Sequence, residues 1–204
     1  MVKSRNREKT NMREAKNSTS RIMLGTIKAT CKYGIENLTT KLIAKESEMT
    51  DGNIYNFFSS KNELLKQCFL MISNEIAKVF TDFNLSDDQS CEQALAGMCQ
   101  NVIGYFMKTP KKALFFFAYR NTKAFNDCSK TRDVTWLDSF FDKLTEKYSE
   151  ISNMNSEERN MAKEYAINAT LMCAKLMADG TLPKTPEGIE SSIAMVLKGI
   201  TGRF

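Results

Sequence analysis

Residues 38–65 hold a cluster of small polar side chains whose types suit hydrogen bonding. The stretch reads LTTKLIAKESEMTDGNIYNFFSSKNELL. Asn can bond the N6 and N7 edge of adenine, Asp can accept from cytosine N4, and Thr, Tyr and Lys can reach phosphates. A glycine lets another backbone approach closely. The candidates for contacts to duplex DNA are Thr50, Asp51, Gly52, Asn53, Tyr55, Asn56 and Lys61.

Catalytic chemistry has little support in the residue inventory. The chain contains no histidine, and its six cysteines, at 31, 68, 91, 99, 128 and 173, include no C-x-x-C pair. This removes Cys/His zinc sites and histidine-dependent triads. We therefore predict no enzyme activity, no metal and no cofactor. The thiols are predicted to be small core residues, and a redox sensor remains the alternative.

Positive charge is concentrated at the N-terminal end. Residues 1–61 carry 12 Lys and Arg against 6 Asp and Glu, whereas residues 62–204 carry 17 against 18. Such asymmetry points to a polyanionic partner for the first third, although a solvated tail has the same charge pattern. Residues 1–17 have almost no apolar content, and we expect them to form a flexible basic arm.

Apolar spacing of three and four residues predicts an all-α fold. The first helix is expected to run from Ser18 or Thr19 to Tyr33, with Gly34 in a left-handed conformation after it. The second begins at residue 39 or 40, a short third covers 51–58, and a fourth follows Ser60. Further helices are predicted over 91–108, 111–125, 133–151, 156–179 and 185–204.

The second and third of these helices are short and joined by a tight turn. Ile54, Phe57 and Phe58 are predicted to anchor the third helix, which leaves its polar residues facing outwards. A helix held by a few apolar anchors is shaped to enter a groove. In a helix-turn-helix, the second helix lies in the major groove and its N-terminal residues meet base edges.

At these residues the chain resembles the TetR (tetracycline-repressor) family of bacterial transcriptional regulators. The matching positions are Thr39, Thr40, Ile43, Ala44, Ser47, Met49, Thr50, Gly52, Ile54, Tyr55, Phe57, Phe58, Ser60, Lys61 and Leu64. The resemblance covers roughly residues 20–65 and adds Thr40 to the DNA-contact candidates. Three positions depart from the pattern: Glu48 replaces the turn glycine, Asp51 stands where relatives often have a basic residue or Pro, and Ala29-Thr30 replaces a bulky pair.

The family resemblance implies a C-terminal effector cavity and a dimer built from the last two long helices. Residues 91–148 contain seven of the thirteen Phe and the only Trp, so they can form either a plain core or a cavity. The cavity candidates are Phe106, Met107, Phe116, Tyr119, Trp136 and Phe140. The dimer candidates are Ala166, Ala169, Thr170, Cys173, Met177, Ile189, Ile193, Val196, Leu197 and Ile200, for which packing within one chain is the alternative.

The sequence as a whole predicts an all-α protein in three parts. These are the arm (1–17), a three-helix DNA-binding domain with a helix-turn-helix (18–63) and a helical ligand-binding and dimerisation domain (64–204). The expected function is a homodimeric repressor that leaves a palindromic operator when a small apolar or amphipathic effector binds. The alternatives are a thiol-based redox regulator and a small-molecule-binding protein without a DNA role. No apolar run is long enough to span a membrane and no signal peptide is evident, so a cytoplasmic location is expected.

Overall fold

The computed structural model describes the backbone of residues 2–129 and 135–201 and the side chains of 17–126 and 138–200. Within these ranges the chain is helical and contains no strand, which confirms the predicted all-α class. The helices are α1 (Val2–Tyr33), α2 (Thr40–Ser47), α3 (Asp51–Tyr55), α4 (Lys61–Thr81), α5 (Cys91–Lys108), α6 (Pro110–Arg120), α7 (Lys123–Ser129), α8 (Thr135–Lys147), α9 (Ser149–Ser152), α10 (Ser156–Ala178) and α11 (Pro186–Thr201).

Two compact units divide the chain. Unit 1 comprises residues 1–72 and 115–129, and unit 2 comprises residues 73–114 and 130–204. Helices α4 and α6 each contribute residues to both units. The predicted boundary between the DNA-binding and regulatory domains, at residue 64, stays a prediction. The compact units divide the chain elsewhere, inside α4, and they assign residues 115–129 to unit 1.

Helix α1 begins at Val2, which is earlier than the start predicted near residue 18. Residues 2–17 contain neither Pro nor Gly, so no helix breaker interrupts the backbone before the Asn-Ser-Thr stretch. The predicted end at Tyr33 is confirmed, because Gly34 follows with φ +79° and donates its N–H to the Thr30 carbonyl at 2.9 Å. Flexibility of the basic arm stays a prediction.

The core of unit 1 joins the first four helices to the end of α6. Ile22, Ile43, Ile54 and Leu64 are almost completely buried. Ala29 and Thr30, which replace the bulkier pair of the family pattern, are also buried, and Thr30 Oγ1 donates to the Thr26 carbonyl at 2.9 Å. Aromatic contacts extend this core: the Phe69 ring stacks on that of Phe116 at 5.0 Å, is tilted against that of Tyr119 at 5.1 Å and meets that of Phe125 edge-on at 5.3 Å.

Unit 2 is built around α5, α10 and α11, each of which packs against the other two. The start of α10 is fixed by a capping box in which Asn155 and Glu158 satisfy each other's backbone N–H groups. A polar cluster adds a further restraint: Glu75 accepts from Tyr105 Oη at 2.7 Å and from Lys112 Nζ at 2.6 Å. This cluster connects α4, α5 and α6 within the unit.

Two of the predicted helices are interrupted in the structure. The single helix expected over 111–125 is α6 followed by α7, because the Thr122 hydroxyl accepts the N–H of Phe125 and donates to the Tyr119 carbonyl. Threonine side chains compete with helical hydrogen bonds in this way and favour caps. Similarly, Tyr148 adopts an extended conformation between α8 and α9.

Among the described residues, no helix is both long enough and apolar enough to cross a membrane.

Candidate functional site

The turn between α2 and α3 is made by a non-glycine residue in a left-handed conformation. Glu48 has φ 53° and ψ 46°, and its N–H caps the end of α2 at the Ala44 and Lys45 carbonyls. The N–H of Met49 bonds the Ala44 carbonyl at 2.9 Å, which completes a Schellman-type end. The left-handed conformation costs a non-glycine residue about 1–2 kcal/mol. Glu48 therefore adopts the left-handed conformation that the glycine of the family pattern would adopt without this cost.

Helix α1 supports this turn through one arginine and one glycine. Arg21 Nη2 donates to the Ser47 carbonyl at 3.2 Å and to the Glu48 carbonyl at 3.3 Å. A Cβ added at Gly25 would lie 2.0 Å from Ser47 Oγ and 2.8 Å from Ser47 Cα, so α1 and α2 cross in close contact there. These residues position the turn, and sequence reasoning missed them, although a glycine inside an otherwise unbroken helix is a signal for close approach.

The last turn of α2 is attached to α1 by a second set of contacts. The Glu46 carboxylate accepts from Lys32 Nζ at 3.0 Å and from Tyr33 Oη at 3.1 Å. The hydrogen bond from Lys32 is the main cause that lowers the pKa of Glu46; desolvation opposes it, and the hydrogen bond from Tyr33 adds to the lowering. The C-terminal end of α2, from which the chain turns towards α3, is therefore held to α1 by contacts at Glu46, Ser47 and Glu48.

Two buried side chains hold α3. Ile54 is 1% exposed and Phe58 is 5% exposed, as predicted for anchors. The prediction that Phe57 is a third anchor was wrong, since this residue is 37% exposed. The helix ends at Tyr55, and the residues that follow turn the Phe57 ring away from the core. The short helix therefore has a narrow buried side and a wide exposed side.

The exposed side of α3 carries the predicted polar set. Gly52, Asn53, Tyr55 and Asn56 are exposed, and the Tyr55 side chain is 55% exposed. Asp51 is half-buried in the first turn of the helix, where its carboxylate complements the helix dipole. A Cβ placed on Gly52 would meet nothing within 4 Å, so the protein's own packing does not require a glycine at this position.

Three further DNA-contact candidates, Thr40, Thr50 and Lys61, lie before and after α3 in the sequence. The Thr39 side chain caps α2 by accepting the Leu42 N–H at 3.3 Å, so the half-exposed Thr40 is not the capping residue. Thr50 is the N-cap residue of α3 by backbone conformation, but its side chain makes no capping hydrogen bond.

Lys61 stands at the start of α4 and is half-buried. Its Nζ donates to the Leu38 carbonyl at 2.9 Å. An ammonium has three donors, so this bond leaves two for an outside acceptor. Lys61 can therefore support the loop before α2 and still bind a phosphate.

The predicted effector residues do not converge on one cavity. An apolar cavity of about 20 Å³ lies in unit 2, with room for about one water molecule. Its walls are Phe80, Leu95, Met98, Cys99, Val102, Phe140, Phe141, Ala166, Ile167 and Thr170. Of the five candidates whose side chains are described, only Phe140 lines it. Phe106 is buried in unit 2, Met107 is half-buried, Phe116 and Tyr119 belong to unit 1, and the Trp136 side chain lies outside the described residues.

Most predicted dimer residues are buried within the chain itself. Ala166, Thr170, Met177, Ile193, Val196 and Leu197 are all buried, because α10 and α11 pack against α5 as well as against each other. Ala169, Cys173, Ile189 and Ile200 are half-exposed. Large apolar side chains are instead exposed at Met161, Tyr165, Met172 and Met195. Sequence reasoning missed these four because the periodicity of α10 does not distinguish its two apolar faces.

Four of the described cysteine thiols lie in environments that disfavour the thiolate. Burial raises the pKa of Cys68, of Cys99 and of Cys173, and raises that of Cys91 to about 11. Since the thiolate is the reactive form, these four are poor redox sensors. The Cys128 side chain lies outside the described residues. No group of three or more Cys, Asp or Glu suited to a metal ion is present in the described part of the chain.

The fold and the exposed α3 define a helix-turn-helix protein with a second helical unit. Residues 25–68 match the family model described as bacterial regulatory proteins, tetR family. The resemblance to the TetR family is confirmed, and these residues form a TetR-family DNA-binding domain. The fold supports a DNA-binding transcriptional regulator. Among curated proteins, none matches the chain significantly.

Solved structures of TetR-family regulators share the whole fold. A TetR-family transcriptional regulator from Haemophilus influenzae RD is similar over 90% of this chain and 96% of its own, with a TM-score of 0.69 and 17% identity. A TetR-like transcriptional regulator from Rhodococcus sp. RHA1 is similar over 91% of this chain and 94% of its own, with a TM-score of 0.67 and 12% identity. At this identity the likeness concerns the fold alone.

Proposed function

We propose that this chain is a transcriptional repressor that binds a palindromic operator as a homodimer and leaves it when a small apolar or amphipathic effector binds unit 2. The observation that carries the proposal is the geometry of α3. Ile54 and Phe58 fix the helix, whereas Gly52, Asn53 and Asn56 are exposed beside it. A polar helix surface with this support suits the major groove.

Each exposed side chain has a specific role in this proposal. Asn53 and Asn56 read base edges, where an amide can bond adenine in a bidentate manner. Tyr55, Thr40, Thr50 and Lys61 bind phosphates and set the register on the duplex. Asp51 accepts from a cytosine or, by its negative charge, weakens non-specific binding. Gly52 allows the backbone of α3 to come close to the DNA.

Selection of binding sites from random duplexes tests the DNA proposal. The expected result is an enriched palindrome with half-site centres about one helical turn apart, or a multiple of it. Asn53→Ala should lose about 1–3 kcal/mol of binding to the preferred base and relax the preference there. Lys61→Ala should weaken binding to all sequences. Asn101→Ala, at an exposed asparagine of α5, is the matched control and should bind normally.

Absence of any enriched motif at moderate salt, with and without candidate effectors, would contradict the proposal. Equal loss of affinity in the Asn53→Ala and Asn101→Ala variants would also contradict it, because the loss would then not come from base recognition. Circular dichroism of each variant separates loss of binding from loss of folding.

The dimer seam proposed here is the exposed side of α10 and α11. Met161, Tyr165 and Met172 are spaced by four and seven residues, so they share one face of α10. Exposed apolar groups in such a row are typical of interaction surfaces. The half-exposed Ala169 and Cys173 are proposed to lie in the same seam. The buried candidates pack inside the chain and hold the two helices in place.

Light scattering of two matched variants tests the seam. Met172→Glu places a charge on it, and Leu114→Glu places the same charge on an exposed apolar residue of α6. We expect wild type and Leu114→Glu to be dimers and Met172→Glu to be a monomer with much weaker operator binding. A wild-type monomer at micromolar concentration, or dissociation of both variants alike, would overturn the proposal.

The effector site proposed here is the apolar cavity of unit 2. Its volume of about 20 Å³ cannot hold a drug-sized molecule, so an effector must separate the walls and stabilise a wider state. The polar contact in the wall is Cys99 Sγ to Thr170 Oγ1 at 3.2 Å, and the rest of the lining is apolar. This chemistry favours a largely apolar ligand with one hydrogen-bonding group.

Filling the cavity tests this assignment. Val102→Ile adds one methyl group to the cavity wall from α5, away from the dimer candidates, so it should leave operator binding intact and abolish release by any hydrophobic compound that releases the wild type. Release of both proteins by the same compound would place the effector elsewhere. Peroxide is the competing signal: peroxide-driven release that disappears in Cys128→Ser would favour the redox regulator instead.

A further inference from the structure

Unit 1 contains a cavity that the proposed function does not use. It is half-open, has a volume of about 430 Å³ and lies between the loop after α1, the first residues of α4 and the junction of α6 and α7. Sites for small molecules usually measure about 300–1,000 Å³. Every residue of its lining belongs to unit 1, so it is separate from the apolar cavity of unit 2.

The cavity is amphipathic in cross-section. Leu65 and Tyr119 are buried and, with the half-buried Ile35, form an apolar floor. The rim is polar, and the exposed Asn62 offers an amide donor there, whereas the hydroxyl hydrogen of the half-buried Thr122 is already donated to the Tyr119 carbonyl. Small-molecule sites combine an apolar lining with a few polar groups in this way. The floor suits a short hydrocarbon or aromatic body rather than a sugar or a nucleotide.

Positive charge dominates the rim. Lys61 and Lys123 contribute two ammonium groups, and Glu36 contributes one carboxylate. Lys61 and Asn62 are the first two residues of the 21-residue helix α4, and N–H groups in a first turn have no intrahelical acceptor. The helix dipole adds to the lysine charges. The head group that this rim recognises is therefore an anion.

We propose that this cavity binds a small amphipathic carboxylate, with its head between Lys61 and Lys123 and its apolar body on Leu65 and Tyr119. The position of Lys61 gives the site a consequence for DNA binding, a part that rests on the proposed function. An anion bound at Lys61 takes one of its two remaining donors and neutralises the ammonium charge that would attract a phosphate. Binding at this site therefore lowers operator affinity, and operator DNA lowers carboxylate affinity by the same factor.

Titration of the full-length protein with octanoate tests the site without any DNA. Octanol has the same chain length and no charge, so it is the control ligand. We expect octanoate to shift the amide resonances of Leu65, Thr122 and Ala124 in a saturable manner, and octanol to bind more weakly. Lys123→Gln should weaken octanoate binding by up to about fivefold, which is the value of a good exposed ion pair. Lys78→Gln, at an exposed lysine of unit 2, should change nothing.

Three results would overturn the proposal. They are no saturation by about 10 mM octanoate, equal binding of octanol, and octanoate binding that Lys123→Gln leaves unchanged. Shifts confined to Leu95 and Ile167 would place the ligand in the unit 2 cavity instead. Operator affinity measured with and without octanoate then tests the coupling: unchanged affinity at saturating octanoate would overturn the competition at Lys61, although the binding site itself would stand.

Discussion

Replacement of Gly52 by alanine separates a structural role from a DNA-contact role at α3. A Cβ at Gly52 meets nothing within 4 Å, and the same is true of Gly104 in α5. Neither glycine has the positive φ seen at Gly34 and Gly180. Alanine should therefore stabilise the folded protein by about 0.5–1 kcal/mol at either position, because it reduces the entropy of the unfolded chain and favours helix.

The two variants should differ only when DNA is added. If the α3 backbone approaches the groove at Gly52, the new methyl group displaces the helix and costs about one base contact, or roughly 1–3 kcal/mol. This corresponds to an affinity loss of about 5- to 150-fold. Gly104→Ala should bind as the wild type does. The measurements are urea denaturation and fluorescence anisotropy on the selected operator at one fixed salt concentration.

Wild-type affinity in Gly52→Ala would refute the argument, because the glycine would then have neither a packing role nor a DNA role. Destabilisation of Gly52→Ala would refute the structural premise. Equal loss of affinity in the two variants would show that a general change in the protein, rather than contact at α3, weakens binding.

Three further predictions concern the support of the helix-turn-helix. Gly25→Ala should lower the free energy of unfolding by about 1–3 kcal/mol in urea titrations, since its methyl group clashes with the Ser47 backbone. Arg21→Gln should lower it by about 1–2 kcal/mol through loss of its bonds to two turn carbonyls. For Glu46, the lowered folded-state pKa means that its contribution is present above the ordinary value of 4.5 and is lost as the pH falls through the folded pKa. The stability difference between wild type and Glu46→Gln should therefore shrink in acid, and a difference that grows in acid would contradict this sign.

The sequence by itself determined the all-α fold class of this protein and its helix-turn-helix. Helix periodicity, the threonines before α2 and α3, and Gly34 after α1 are local signals, and local backbone preferences act through residues only a few positions apart. The exposure of Asn53, Tyr55 and Asn56 followed from the same periodicity, because a short segment that buries two apolar anchors must place its other residues on the exposed side. The exposure of Phe57 could not be predicted in this way, since the orientation of its side chain depends on where the helix ends.

Only the tertiary structure decided which apolar faces meet. The helix α10 is apolar on more than one side, and its partner α5 is distant in sequence, so the burial of Thr170 and the exposure of Met172 depend on contacts that no local pattern encodes. The strained Glu48 is another case: it is tolerated because Arg21, far away in the sequence, holds the turn. Aromatic residues close in sequence likewise separated into two units, with Phe116 in one and Phe140 in the other. Packing between distant segments selects among faces that the sequence leaves equivalent, because burial free energy depends on area removed from water and not on position in the chain.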